Sequence, residues 1–229
     1  MAGPRLGGVP PQKPTTEPPV IDPVVLDDLQ RGDAYDLEAE ADLEGFELVD
    51  LRLDRLDLHG ASVFSTRLDQ VRADAADLGA VTLTEVVLDR LDVPVLRGTR
   101  GRWREVEVRG ARLGSAELYE SSWAGVRFVG CKLGFVNLRG ATLRDVMFTD
   151  CTIDELDLVA ADALRVAFEG TRVRRLDVQA STLAHVDLRG AEIDELSGIE
   201  SLRGSTIDST QLARLAATFA HSLGITVTD

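Results

Sequence analysis

Residues that carry chemistry are scarce in this 229-residue chain: two cysteines (Cys131, Cys151), two tryptophans and three histidines (His59, His185, His221). Two thiols with no histidine close by in sequence do not make a zinc site, which takes four nitrogen or sulfur ligands. The histidines are scattered, and no phosphate-binding loop, nucleophile elbow or paired-carboxylate site stands out. An enzyme is therefore not expected, and neither is a cofactor or metal. No apolar run is long enough to span a membrane, and no apolar core of a secretory signal precedes the body of the chain, so a cytoplasmic location is expected. Proline is nearly absent from that body: seven of eight fall within residues 1–23, leaving only Pro94 beyond. Residues 1–23 hold too little apolar surface to offset the entropy of ordering and are expected to form a disordered tail.

What the chain does have is a five-residue period. From Leu43 to Ile193 every fifth residue is apolar over 31 repeats, with Gly98 the single exception; an apolar share of 44% would give about fourteen by chance. Let Ala41-Asp42-Leu43-Glu44-Gly45 be positions 1 to 5. Position 1 is apolar in 26 repeats, and position 2 is polar in all but three (Val87, Met147, Ala167). Positions 1 and 3 thus point inward and position 2 outward, as in a very short strand. An α-helix would turn successive repeats by about 140° and scatter the apolar residues. A continuous strand would put alternate repeats on opposite faces. A corner at positions 4 and 5 resolves both problems, and position 5 is glycine in eight repeats, as tight turns favour.

Rare residues give the number of corners per coil. Phe128, Phe148 and Phe168 lie twenty apart at position 3, as do Trp103 and Trp123, and Cys131 and Cys151 lie twenty apart at position 1. Like residues stack on like in a solenoid core, so four repeats close one square coil. Thirty-one repeats make a rod about 37 Å long at about 4.8 Å per coil. The two cysteines are expected as stacked buried thiols, not a disulfide. Gly98 and Gly101 leave space that a neighbouring indole can use.

Runs such as Ala41-Asp42-Leu43, Asn137-Leu138-Arg139-Gly140-Ala141 and Val186-Asp187-Leu188-Arg189-Gly190 resemble the A(D/N)LXX signature of pentapeptide repeat proteins. The resemblance covers residues 41–195 and implies an all-β, right-handed quadrilateral β-helix of about eight coils. Leu51-Arg52-Leu53 imitates a leucine-rich repeat locally, but no longer period supports one. Outside the register, residues 24–40 are expected to cap the first coil. Residues 196–229 are expected to form a C-terminal cap with an α-helix over about 209–223. Leu202 and Ile207 lie in a register shifted by one residue. Asp208 and Gln211 then form a capping box, and Leu212, Leu215, Phe219 and Leu223 recur at helical spacing. These four are candidates for sealing the rod or for a two-fold homodimer, as the resemblance implies.

Members of the quinolone-resistance kind, Qnr and MfpA, imitate B-form DNA and bind DNA gyrase. The resemblance therefore makes a protein partner, with DNA gyrase the most concrete, the leading expectation; a scaffold without a gyrase role is the alternative. The net charge of −14 fits the first. The solenoid carries 28 acids and 20 bases, spread over the four faces as −2, −3, 0 and −3, without an unbroken acidic stripe. Candidate partner-binding residues are the basic cluster Arg97, Arg100, Arg102 and Arg104 and the acidic patches Glu117 and Glu120, and Asp154, Glu155 and Asp157. Direct nucleic-acid binding is not expected of a chain this acidic.

Overall fold

The computed structural model describes residues 16–228. Parallel strands stack at an offset of twenty residues from end to end, so that Ser62, Thr82, Arg102, Ser122, Thr142, Asp162 and Thr182 form one continuous row. With off-register strands at both ends, the solenoid has about nine turns. We number its faces by their repeats: the first begins at Ala41, the second at Phe46, the third at Leu51 and the fourth at Leu56, each recurring every twenty residues.

Eight-residue strands such as Ser62–Asp69 bend from the first face onto the second, and six-residue strands such as Arg72–Asp77 pass from the third onto the fourth. The corners differ accordingly. On the first, second and fourth faces, position 5 takes positive φ in every repeat but the one ending at Gly190, and fifteen of those residues are not glycine. On the third face position 5 never does. The left-handed residues stay within the hydrogen-bond ladder: Asp50 N–H donates to the Asp69 carbonyl (2.9 Å) and Arg90 N–H to that of Arg109 (2.7 Å). Bonds along the rod over-determine each corner, which is how non-glycine residues persist there.

The core is a set of columns. Trp103 stacks on Trp123 (ring centroids 4.9 Å apart), Trp123 meets Phe128 (5.6 Å), and Phe128, Phe148 and Phe168 continue at 5.0 and 5.2 Å. A Cβ on Gly101 would stand 3.2 Å from Nε1 of Trp103, so the indole does use that space. At Gly98 the gap is taken by Leu118 of the next coil, whose Cδ2 would lie 2.8 Å from such a Cβ.

Cys131 and Cys151 are buried free thiols. The Cys131 N–H points at Sγ of Cys151 (3.4 Å), and the Cys131 thiol donates to the Val108 carbonyl (3.4 Å). One coil on, Thr171 does the same work: Oγ1 accepts from Cys151 N–H (3.2 Å) and donates to the Phe148 carbonyl (3.1 Å). Side chains at this corner thus satisfy buried backbone groups that the ladder leaves over. Hydrogen bonding to Cys151, then burial, pushes the Cys131 thiol well above its ordinary range. Because both thiols are buried, neither cysteine is expected to react with iodoacetamide at neutral pH, whereas both react in denaturant. Mass spectrometry of the alkylated protein checks this, and rapid native labelling would contradict the burial.

The N-terminal segment departs from expectation. Residues 1–15 of the expected tail lie outside the described residues, but 16–29 lie along the rod. Thr16 Oγ1 meets Thr206 Oγ1 in the last coil, and Glu17 N–H donates to Nδ1 of His185 (3.2 Å). Val20 N–H donates to Oδ1 of Asp145 (2.9 Å), and Gln30 N–H reaches the Gly45 carbonyl in the first coil (2.8 Å). The segment is thus a strap running against the coil direction. Its prolines explain why it can be ordered with few bonds: they lack N–H groups to satisfy and have less conformational freedom to lose. Side-chain bonding by Arg165 (2.6 and 2.7 Å) holds the Asp145 carboxyl below its usual range, despite opposing desolvation, and the Val20 N–H adds to the effect. A carboxyl lowered on folding stabilises above its unfolded value, about 3.9, and that contribution is lost as pH falls through the folded value. Strap anchoring at Val20 is therefore expected to weaken below about pH 4. The substitution Asp145→Ala should expose the strap to protease at neutral pH while the coils stay intact. Unchanged cleavage within residues 16–29 would contradict the anchor.

Both ends are covered. Gln30–Arg31 pairs with Phe46–Glu47, and Leu37 is buried beneath. At the far end Ser205 and Thr206 pair with Val186 and Asp187, an offset of nineteen that makes the one-residue shift a real rung. The helix Ser209–Ser222 follows, with the capping box formed by Asp208 and Gln211. Leu215 is buried and Phe219 packs partly buried on the core, while Leu212 and Leu223 are exposed. Gln211 Nε2 also donates to the carbonyls of Leu188 (2.6 Å) and Ala191 (2.7 Å).

Candidate functional site

Among the described residues no group of His, Cys, Asp and Glu is placed to hold a metal, and the interior is filled by side chains. The outward positions 2, 4 and 5 form the surface of the coils, and the ladder fixes them in columns about 4.8 Å apart along the rod.

On the fourth face, position 2 reads Asp57, Asp77, Arg97, Glu117, Asn137, Asp157 and Asp177 in register. The aspartates there do more than face water. Oδ1 of Asp57, Asp77, Asp157 and Asp177 each accepts the N–H of the residue two further on (3.2, 3.0, 3.0 and 3.0 Å), as Asn137 does for Arg139 (3.1 Å). These are Asx turns, which explains the abundance of Asp and Asn at a sharp corner. One oxygen of each carboxylate is thus held by the backbone, and at Asp77 and Asp157 the other accepts from an arginine.

Asp157 is buried, and its Oδ2 is held by Nε of Arg139 (2.6 Å). Glu155 pairs with Arg175 (2.7 Å), which also bonds Glu195 (3.1 Å), and Asp154 lies 3.8 Å from Arg174. This acidic patch is therefore neutralised within the chain. Glu117 accepts from Asn137 Nδ2 (2.7 Å), while Glu120 stands exposed at the corner. The basic cluster is divided by the fold. Arg97 stands on the fourth face between Asp77 and Glu117, and Arg100 occupies the next corner. Arg102 and Arg104 lie on the first face between Thr82 and Ser122, and Thr84 and Ala124. All four are exposed.

The faces differ in charge around the rod. The first has six acids and four bases, the second eight and five, the fourth six and three, and the third eight of each. Three contiguous faces (fourth, first, second) are therefore acidic. The strap adds Glu17, Asp22, Asp27 and Asp28, with no base, along their side of the rod at Asp145 and His185.

The neutral total of the third face hides an arrangement that sequence reasoning missed. Four of its eight acids (Asp154, Glu155, Asp194 and Glu195) pair with Arg172, Arg174 and Arg175 near the C-terminal end. Toward the other end, position 2 presents Arg52, Arg72, Arg112 and Lys132, exposed and without an ion-pair partner within 4 Å among the described residues. Recurrence at one position every twenty residues was the available signal, and summing over the face erased it.

The pentapeptide repeat region model matches residues 121–197. A trypsin-treated variant of QnrB1, a plasmid-mediated fluoroquinolone resistance protein, is similar in structure. It shares 16% identity over 88% of this chain and 99% of that one, with a TM-score of 0.42. HetL, a pentapeptide repeat protein involved in heterocyst differentiation regulation from the cyanobacterium Nostoc sp. strain PCC 7120, shares 17% identity. The match covers 75% of this chain and 91% of that one, with a TM-score of 0.32. No curated protein matches the chain. No helix among the described residues is long and apolar enough to cross a membrane.

Proposed function

Since the chain is a pentapeptide repeat protein, we propose that it binds another protein through its outer faces, without catalysis, and that DNA gyrase is the most concrete partner. The observation that carries this reading is the charge distribution around the rod. Acid exceeds base on three adjoining faces, and the strap adds four more carboxylates on that side. A basic, DNA-accepting groove is the surface such a rod complements, and long-range attraction would speed the encounter. The rigid columns also keep the carboxylates fixed before binding, which lowers the ordering cost of association. Imitation of DNA here is a matter of one-sided charge and not of a regular phosphate-like stripe.

Supercoiling by purified gyrase, with and without a fluoroquinolone, tests the proposal. Inhibition of supercoiling, or relief of the drug's effect, is expected at micromolar protein. The combined variant Glu117→Gln, Glu120→Gln should need severalfold higher concentration. No effect at tens of micromolar retires gyrase as the partner.

We further propose a homodimer through the C-terminal segment, because Leu212 and Leu223 are 53% and 75% exposed and Ile225 and Val227 stand out beyond them. Sedimentation at micromolar concentration should give a dimer. The pair Leu212→Asp and Leu223→Asp should give a monomer of unchanged helicity, since neither is a core residue. A concentration-independent monomer in the unaltered protein rules the dimer out.

A further inference from the structure

We propose that the third face holds a docking track for an extended acidic segment of a partner protein, a site separate from the acidic side and independent of the gyrase reading. The track has two parts in register. One is the row of exposed cations at position 2, where Arg52 lies directly opposite Arg72, and Arg112 directly opposite Lys132. The other is a trough beside them at position 4. Neighbouring coils carry Asp54, Asp74, Asp154 and Arg174 there, but Pro94, Gly114 and Gly134 put no long side chain into it. A Cβ on Gly114 would sit 2.5 Å from the Pro94 carbonyl oxygen, so the backbone itself closes the floor. The groove holds about 500 Å³, with Leu113 and Leu133 at its base and Arg112 and Lys132 along its rim; Asp92 and Asp154 also line it, the latter within 3.8 Å of Arg174.

The cations are what call for a ligand. Like charges directly opposite on adjacent strands repel, and here two such pairs stand in one line. Toward the C-terminal end the face pairs its charges: Arg172 with Asp194, Arg174 with Asp154, and Arg175 with Glu155 and Glu195. Asp54 and Asp74 at position 4, by contrast, make no ion pair within 4 Å with the cation row beside them. Asp92 is the one acid within the row, between Arg72 and Arg112. Beyond the trough, position 5 carries Val95, Ser115 and Phe135 in register, with Val95 41% exposed. An extended peptide alternates its side chains, so it can set carboxylates toward the cation row and lay apolar groups toward Val95 and Phe135. Nucleic acid fits less well. Its charge extends past a single column, and the faces on either side each carry a net −3 from eight acids against five bases and six against three.

The test uses a fluorescein-labelled decapeptide of alternating glutamate and alanine, followed by anisotropy at low salt with the full chain. Saturable binding is expected, weakening steeply with salt. The double variant Arg112→Glu, Lys132→Glu should weaken it at least tenfold, and Arg174→Ala on the same face should leave it unchanged. Folding is checked independently: Lys132→Glu alone removes one like-charge pair and should raise Tm by about 1–3 °C while weakening the peptide. The proposal is overturned if the double variant binds the peptide as well as the original chain, or if no binding is seen at millimolar peptide. It is equally overturned if a ten-nucleotide oligothymidine binds more tightly through the same two residues, which would make the track a nucleic-acid site.

Discussion

Replacing Phe148 with alanine is expected to cost about 3–5 kcal/mol of unfolding free energy. The ring is 1% exposed and lies between Phe128 and Phe168, with centroids at 5.0 and 5.2 Å. Collapse into the resulting cavity is restricted, because each neighbouring ring is fixed to its own coil by the ladder on both sides. The loss therefore includes the cavity as well as the missing transfer energy. Phe135 provides the internal comparison, being half-buried at an outward corner: Phe135→Ala should cost under about 1.5 kcal/mol. Urea unfolding followed by circular dichroism measures both. Equal losses would mean that the aromatic column contributes nothing beyond ordinary surface packing.

A larger effect is expected at the end of the rod. Removing residues 209–229 takes away Leu215 from the top of the core and Gln211 from the carbonyls of Leu188 and Ala191. The last coil then presents an apolar surface bordered by unpaired strand edge, the surface on which further strands add. Most of the truncated protein should be recovered as aggregate, and its soluble remainder should elute ahead of the full chain in size-exclusion chromatography. Gln211→Ala separates the two contributions. It keeps the apolar lid but removes the side-chain donor from the Ala191 carbonyl and the capping-box acceptor from Asp208 N–H, while the Leu188 carbonyl keeps its bond from Ala191 N–H. It should cost about 1–3 kcal/mol without loss of solubility. A soluble, monomeric truncation would show that the final coil needs no lid.

Much of the fold was legible because its constraint is periodic. Burial at positions 1 and 3 recurs every five residues, and the rare Trp, Phe and Cys residues recur every twenty, so strand direction, coil size and stacking partners followed from spacing alone. The one-residue shift before Ile207 and the capping box at Asp208 were local signals and were also readable. The strap was not. Residues 16–29 have no period, and their order depends on acceptors more than a hundred residues away at Asp145 and His185. Asp157 shows a different limit. In sequence it is one more outward aspartate, but in the structure it is spent on a turn and on Arg139. Charge can be counted from sequence; which charges remain free depends on their neighbours in the adjoining coils.

The strap also bears on how the rod comes apart. Coils in a stacked array touch only their neighbours, so such an array can fray one unit at a time from either end. Here Thr16 meets Thr206 across 190 positions, and the same segment continues to the first coil at Gln30. The last turn therefore cannot peel away without releasing a tie to the first. Opening at one end is expected to be transmitted to the other, so that a structure built from repeats should melt as a single unit.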